Sequence, residues 1–328
     1  MKYIIGLDIG GTKIAAAIAD DKGKIITSIN TPTQAKKGAE VVTNQLSSVI
    51  KELLKNAGVH IQDVKTIVLG IPGQITKSKG VVIIAPNIKG WENYPLRDKV
   101  QKDFPNTPII VENDANCAAM GELYFGSEKD YKNIVFLTVS TGVGGGIIID
   151  RKLYSGKNTM AGEIGHMPLN LTTDTEFKCG CGRIGCFEAY ASGVNMAKRA
   201  SKKIMKLKTT KDDYGKITLE LSASNRSKIT SIVLNHAAKQ GDKFAQDIIE
   251  ENAYYIGIGC VNIINILDPE AIIIGGGVSK IGDILFKAIR KTVQEHLSMV
   301  KNVKTEIIPA TLGTDAGLLG TIAVGLSE

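Results

Sequence analysis

Two segments of this chain repeat one local pattern, in which an apolar strand runs into a glycine turn and a second strand leaves it. The first copy joins the runs at residues 3–9 and 13–20, and the second joins those at 133–140 and 145–150. A repeated supersecondary unit indicates a duplicated architecture. Helical periodicity between the further apolar runs gives both copies α/β surroundings. It predicts helices over roughly 39–57, 188–204, 226–239 and 243–266, and the polar, lysine-rich composition predicts a loop over 205–225. The sequence therefore predicts two related α/β halves.

The length and composition of the chain agree with this division. At 328 residues it can form two domains with separate cores. No run approaches the roughly 18 apolar residues of a membrane helix, and the N-terminus lacks a signal-peptide pattern, so we expect no membrane partner. The net charge of +7 is concentrated in no segment, so we also expect no nucleic-acid partner.

The first glycine turn offers the groups that bind a phosphate. Gly10 and Gly11 let the backbone approach a phosphate closely, and their amides are possible donors. Thr12 adds a hydroxyl, Lys13 adds a positive charge, and Asp8 can hold Mg²⁺ through a water molecule. A plain hairpin turn would also use two glycines, so this turn alone leaves both interpretations open.

Two later glycine segments favour the nucleotide interpretation. The turn that opens the second half repeats the phosphate-type groups of the first, and a third glycine run follows a buried strand, where α/β sheets bind ligands. For the third run, a simple strand-to-helix turn is the alternative. No Walker sequence is present, so the chain is not a P-loop enzyme. The candidate nucleotide-binding residues in these segments are Thr141, Gly142, Gly144, Gly276 and Gly277.

A crowded group of metal-binding residues follows the second half's turn. Cys179, Cys181 and Cys186 lie within eight residues, with glycines between them that let the loop wrap an ion, and His166 is the natural fourth ligand. Buried cysteines often act as small hydrophobic residues, but this spacing is not that of a core. Four protein ligands leave no open position, so we predict a structural Zn²⁺. Crowded cysteines favour metal binding in a reducing compartment, hence a cytoplasmic protein.

Asp114 is the candidate catalytic residue. It stands where a predicted strand hands over to a helix, in the segment VENDAN. A hydroxyl group that accepts a phosphoryl group is a poor nucleophile, so a carboxylate has to take its proton as the phosphoryl group arrives. The alternative role is the N-cap of the helix. Both roles can be filled, because Asn113 offers a second capping side chain.

The motifs LDIGGTK, GIPG, ENDAN, TGVGGG, EIGH, CGCGRIGCFE and GGG occur in this order. With them the chain resembles the repressor/ORF/kinase (ROK) family of sugar kinases, from residue 3 to the C-terminal helix. The resemblance implies a duplicated ribonuclease-H-like, actin–hexokinase type α/β fold, with two domains closing over ATP and sugar in a central cleft. It also implies a first domain of residues 1–115 plus 310–328 and a second of residues 116–309.

The resemblance assigns roles position by position. Asp114 corresponds to the catalytic base, and His166 would contact both zinc and sugar. The implied sugar-binding residues are Asn113, Asp114, Glu163, His166 and Glu188, with Gly73 and Asn87 as further candidates. The positions that match the family's nucleotide-binding residues are Gly10, Gly11, Thr12, Thr141, Gly142, Gly276 and Gly277.

We therefore expect a glucokinase that uses ATP and Mg²⁺, carries a structural Zn²⁺ and phosphorylates the 6-hydroxyl of glucose. The alternatives are a kinase for N-acetylglucosamine, mannose or fructose, polyphosphate as the donor, and a sugar-sensing regulator without catalysis. Regulators of the family carry a DNA-binding extension, and because the first predicted strand begins at residue 3 we expect none here. The family also implies a homo-oligomer, a dimer or a tetramer.

Overall fold

The computed structural model describes residues 2–85, 87–126, 129–170, 175–206, 213–297 and 304–328. The chain divides into two compact units. The first comprises Met1–Lys132, Gly146–Gly162 and Thr311–Glu328, and the second comprises Asn133–Gly145 and Glu163–Ala310.

The strands of the described residues form two five-stranded sheets and one three-stranded sheet. They are β1 (Tyr3–Ile9), β2 (Lys13–Ala19), β3 (Ile25–Pro32), β4 (Val64–Ile71), β5 (Gln74–Thr76), β6 (Val81–Ile84), β7 (Glu92–Tyr94), β8 (Ile109–Asn113), β9 (Ile134–Val139), β10 (Val143–Ile149), β11 (Lys152–Leu153), β12 (Ala271–Gly275) and β13 (Glu306–Pro309). The large sheets have the orders β3-β2-β1-β4-β8 and β11-β10-β9-β12-β13. In each sheet the first three strands lie in reverse chain order and the last two follow in chain order on the other side. The two sheets therefore have the same strand order, which confirms the predicted duplication.

The helices lie between these strands in the order that an α/β fold requires. They are α1 (Ala39–Ala57), α2 (Leu96–Gln101), α3 (Asp114–Gly121), α4 (Phe187–Ala191), α5 (Gly193–Lys206), α6 (Lys216–Leu221), α7 (Ser231–Lys239), α8 (Lys243–Leu267), α9 (Asp283–His296) and α10 (Ala316–Ser327). None of the helices in the described ranges combines the length and the apolar character needed to cross a bilayer.

Strand β1 is the centre of the first sheet and is covered on both faces. It pairs antiparallel with β2 and parallel with β4, so its carboxyl end lies beside that of β4. One set of alternating side chains, including Leu7 and Ile9, packs in a core with Leu46 and Ile50 of α1. The opposite set faces α10, where Ile4 packs against a buried isoleucine of that helix. Burial on both faces explains why β1 reads as an almost continuous apolar run.

Three element predictions need correction. The predicted single helix over 188–204 is two helices, because Ser192 between α4 and α5 has an extended ψ of 149°. The helix predicted from residue 226 begins at Ser231, where the Thr230 side chain accepts a hydrogen bond from a backbone amide. The loop predicted over 205–225 contains helix α6, and its residues 207–212 lie outside the described ranges.

The compact units differ in extent from the predicted domains. Helix α3, which the prediction assigned to the second domain after residue 115, lies in the first unit. It does so because it packs closely on α10: a Cβ built on Gly121 would lie 2.6 Å from the Ala316 carbonyl oxygen. The functional domain boundary near residue 115 stays a prediction.

Candidate functional site

The junction of β8 and α3 carries the predicted catalytic carboxylate. Asn113 is the N-cap: its Oδ1 accepts from the backbone amides of Ala115 (2.9 Å) and Asn116 (3.2 Å). Asp114 is half-buried, and its Oδ1 accepts from the Ala115 amide at 2.8 Å. The cap is therefore supplied by Asn113, so Asp114 is not required for that structural role.

Asn113 also connects this junction to Gly73. Its Nδ2 donates to the Gly73 carbonyl oxygen at 3.0 Å. Gly73 has φ +96°, and a Cβ there would lie 2.1 Å from the Ile84 carbonyl oxygen, so only glycine fits. Two residues predicted to contact the sugar, 40 positions apart in the chain, are thus adjacent.

An ion pair between a half-buried lysine and a buried glutamate supports the same junction. The Glu112 side chain is fully buried, and its Oε1 accepts from the Asn113 amide (3.0 Å) and from Asn116 Nδ2 (2.9 Å). Lys77 Nζ lies 3.0 Å from Glu112 Oε2. Glu112 Oε2 accepts no hydrogen bond with suitable geometry, so its contact with the Lys77 ammonium group is ionic. Sequence analysis missed Lys77 and Glu112, because only the fold brings them together.

The first glycine turn closes as a tight hairpin with its polar groups exposed. The Gly10 amide donates to the Lys13 carbonyl oxygen at 2.8 Å, and the Lys13 and Thr12 side chains face solvent. A Cβ built on Gly11 would lie 2.9 Å from Asn87 Cβ, so Asn87 lies directly beside the turn. The structure thus joins a predicted sugar contact to a predicted phosphate turn.

Asp8 precedes this turn and is half-buried at the carboxyl end of β1. Burial raises the pKa of Asp8, and the nearby positive charge of Lys13 partly opposes that rise. Among the described residues no hydrogen bond to its carboxylate is present. A carboxylate without a protein donor, beside a phosphate-type turn, fits a role in holding hydrated Mg²⁺.

The second group of predicted nucleotide residues meets in the second unit. Gly276 has φ +87°, and a Cβ there would lie 2.4 Å from the Val139 carbonyl oxygen. Gly277 is close to Ser140, directly before Thr141 and Gly142. Gly144 lies within β10 rather than in the turn itself. The ends of β9 and β12 therefore bring together two turns that are distant in sequence.

These two turns form one wall of a cavity of about 750 Å³, a size typical of a small-ligand site. Thr141 and Gly277 line it. Sequence analysis missed its other walls, which come from α5, α7 and the segment before α7. Its polar and charged lining includes Lys198, Ser201, Arg226, Thr230, Asn235, His236 and Lys280. His236, to which the sequence assigned no role, therefore borders a ligand-sized cavity.

The four predicted metal ligands converge as the spacing indicated. The donor atoms of His166, Cys179, Cys181 and Cys186 all lie within 4.8 Å of one another. Cys179 Sγ is 3.6 Å from His166 Nδ1, and Cys181 Sγ is 3.7 Å from Cys186 Sγ. Two sulfur ligands of a tetrahedral zinc ion are separated by about 3.8 Å. The donor set and its spacing fit Zn²⁺.

The three thiols differ in how readily they ionise. The Arg183 backbone amide, followed by its side chain, lowers the pKa of Cys181 to about 6. Burial raises the pKa of Cys179 and that of Cys186. Cys181 is the exposed member of the cluster, so it is the thiolate that an approaching metal ion would meet first.

The predicted sugar-binding residues of the second unit surround this cluster. His166 Nδ1 faces the sulfurs while its Nε2 lies 3.9 Å from Glu163 Oε2. Glu188 Oε1 accepts from Cys179 Sγ at 3.3 Å, and its Oε2 accepts from the Val143 amide at 3.0 Å. Glu188 therefore connects the cysteine loop to the second glycine turn, and a metal bound by this loop would fix the imidazole.

Comparison with known proteins identifies the family. The profile of the ROK family matches residues 4–327. The chain is 35% identical to a glucokinase of Halalkalibacterium halodurans, over 97% of this chain and 93% of that one. It is 34% identical to a xylose repressor of Caldicellulosiruptor bescii, over 99% of this chain and 78% of the repressor.

A solved structure extends the comparison to the fold. The crystal structure of a ROK family glucokinase from Streptomyces griseus, in complex with glucose and AMPPNP, is 34% identical and covers 98% of each chain with a TM-score of 0.78. This likeness confirms the predicted actin–hexokinase type fold class. The chain belongs to the ROK family.

Proposed function

We propose that this protein is a glucokinase that transfers the γ-phosphoryl group of ATP to the 6-hydroxyl of glucose. The observation that carries the proposal is the β8–α3 junction, where Asn113 caps the helix and the Ala115 amide orients the Asp114 carboxylate. The similarity to glucokinases over nearly the whole chain supports the choice of reaction and of glucose.

Asp114 acts as the general base in this proposal. Its carboxylate accepts the proton of the 6-hydroxyl as the oxygen attacks the γ-phosphorus and the bond from that phosphorus to the bridging oxygen breaks, releasing ADP. The Ala115 amide holds Oδ1 at 2.8 Å and thereby orients the carboxylate. Asn113, fixed by its three hydrogen bonds, keeps this part of the backbone in place. Sugar binding is assigned to Asn113, Glu163, His166 and Glu188, with Gly73 and Asn87 as further contacts.

We assign nucleotide binding to the two glycine groups. In the second unit, the cavity lined by Thr141 and Gly277 has room for a nucleoside. In the first unit, the Gly11 amide, the Thr12 hydroxyl and the charge of Lys13 are suited to phosphate oxygens, whereas the Gly10 amide is already paired with the Lys13 carbonyl oxygen. Mg²⁺, when bound, neutralises charge on the transferred phosphoryl group, and Asp8 is the residue that would hold its hydration shell.

Zinc has a structural role in this proposal. Its four protein ligands leave no position for substrate, so it would stiffen the loop that carries His166 and Glu188. Since Nε2 of His166 points away from the sulfurs, the same imidazole can bind metal with Nδ1 and donate to a sugar hydroxyl with Nε2.

Asp114→Asn tests the catalytic assignment. We expect kcat to fall by about 10²–10⁴-fold, the usual contribution of a general base, with an unchanged melting temperature because Asn113 remains the cap. Asp98→Asn is the matched control: this carboxylate in α2 is exposed and lies 3.9 Å from Arg97 Nε. Turnover by a folded Asp114→Asn variant equal to that of the control would show that the base is wrong.

The identity of the sugar and of the donor is tested by competition. We expect the highest kcat/KM with glucose among glucose, mannose, fructose, N-acetylglucosamine and N-acetylmannosamine, and with ATP rather than polyphosphate. A tenfold preference requires only about 1.4 kcal/mol, which one hydroxyl or acetamide contact can supply. A higher kcat/KM with another sugar would replace glucose while leaving Asp114 as the base.

A sugar-sensing regulator is the second candidate, favoured by the 34% identity to a xylose repressor over nearly the whole chain. Sequence-dependent DNA binding in a gel-shift assay, reversed by xylose or glucose and without phosphorylation of either sugar, would support this candidate.

The resemblance to the family also leads us to propose a homo-oligomer, a dimer or a tetramer. Sedimentation equilibrium would measure its size directly.

A further inference from the structure

Helix α10 lies against strand β1 in a regular register. Side chains two apart in a strand share a face, and residues four apart in a helix share a face. Two strand residues advance about 6.6 Å and four helix residues about 6 Å, so contacts can repeat in step. The successive contacts are Ile4 with Gly325, Gly6 with Thr321, and Asp8 with Gly317.

The last of these contacts involves the Asp8 carboxylate itself. A Cβ built on Gly317 would lie 2.5 Å from Asp8 Oδ2, 2.7 Å from Cγ and 3.0 Å from Oδ1. These separations are all well inside van der Waals contact. The carboxylate therefore occupies the space that any side chain at position 317 would need.

The position of this carboxylate depends on packing. The backbone of Asp8 is held between Ala15 of β2 and Gly70 of β4. Its side chain has no hydrogen-bond donor among the described residues, so no directional contact of the protein selects its rotamer. Because Gly317 has no side chain, helix α10 leaves room for the carboxylate in this orientation.

We propose that Gly317 is a positioning residue for Asp8, and through Asp8 for the complex of Mg²⁺ with the nucleotide. The inference rests on the proposed function, because that function gives Asp8 its metal. A side chain at position 317 would displace the carboxylate from the position that it occupies beside α10. Gly317 itself contacts neither substrate nor metal.

Gly317→Ala is the direct test. Alanine favours a helix more than glycine does, and the short side chain of Asp8 can swing aside, so we expect the variant to fold. Calorimetric titration should show Mg²⁺-dependent ADP binding weakened by about tenfold, since displacement of a binding group by about 1 Å has effects of this order or larger. The KM for glucose should stay unchanged, which separates positioning from general damage.

A cycle with Asp8→Ala locates the cause. In the Asp8→Ala background, Gly317→Ala should produce no further loss of Mg²⁺-dependent ADP binding or of melting temperature, because the carboxylate that it would displace is gone. Gly325→Ala is the control for disturbed packing, since its Cβ would meet Ile4 at 2.5 Å rather than Asp8. It should leave the Mg²⁺ dependence unchanged.

Three results would overturn the proposal: wild-type Mg²⁺–ADP affinity in Gly317→Ala, an equal loss in the Asp8→Ala background, or the same loss in Gly325→Ala. If Gly317→Ala folds poorly, recovery of its melting temperature in the double variant still supports the contact, and the lack of recovery refutes it. Failure of the parent protein to phosphorylate glucose would refute the proposed function alone, because the binding cycle is measured without sugar.

Discussion

Lys77→Met removes the positive partner of a buried carboxylate at the candidate active site. Lys77 Nζ lies 3.0 Å from Glu112 Oε2, and the Glu112 side chain is 0% exposed while that of Lys77 is 32% exposed. Methionine keeps most of the apolar stem of lysine but not its charge. The variant therefore leaves the buried Glu112 side chain without its positive partner.

The size of the effect follows from the burial of the two partners. At 3.0 Å and an effective dielectric constant of about 20, the pair's Coulomb energy is about 5.5 kcal/mol, and breaking a fully buried pair costs about 3–5 kcal/mol. Lys77 is one-third exposed, and Glu112 keeps its hydrogen bonds from Asn113 and Asn116. Solvent screening thus reduces the expected loss to about 2 kcal/mol, which lowers the melting temperature of this 328-residue chain by about 3 °C.

Thermal and urea unfolding of four proteins would measure this energy: the parent, Lys77→Met, Glu112→Gln and the double variant. Because glutamine carries no charge to compensate, the double variant should be more stable than Lys77→Met alone. Lys79→Met, an exposed neighbour in the same turn, is the control. A loss below about 0.5 kcal/mol in Lys77→Met, the range of ordinary surface changes, would refute the reasoning. So would a double variant no more stable than the single one.

Two further predictions concern the metal and the turn beside the active site. Cys181→Ser should lower the zinc content from one ion per chain to a small fraction and raise the KM for glucose. Cys260→Ala, which removes a buried thiol of α8, should keep the metal. Elemental analysis measures the zinc, and equal zinc in both variants would contradict the assigned ligands. Gly73→Ala should destabilise the protein by about 3 kcal/mol, since strain and a backbone clash add. Gly58→Ala has φ +64° but open space and should cost only about 1 kcal/mol; similar urea midpoints for the two would refute the clash.

The elements predicted from sequence are those with strong local signals. The apolar runs of β1, β2 and β12 and the periodicity of α1 and α8 determine their own conformation, because burial period and chain geometry agree within each segment. The break at Ser192 and helix α6 were missed, because tertiary contacts decide them. At the break, Asn252 Nδ2 donates to the Ala191 carbonyl oxygen at 3.0 Å across 61 residues.

The same division holds for the candidate site. The sequence predicts the metal-binding thiols because all three lie on one short glycine-rich loop, which is enough by itself to bring them together. They are Cys179, Cys181 and Cys186. Similarly, each glycine turn follows from its own few residues.

Only the tertiary structure decided the longer-range partnerships. These are Asn113 with Gly73, Lys77 with Glu112, Gly11 with Asn87, and Asp8 with Gly317. Each joins segments whose meeting depends on strand order and helix register, which no local stretch of sequence encodes. The candidate catalytic and binding residues can therefore be predicted from the sequence, whereas the contacts that hold them in place come from the packing of elements that are distant in the chain.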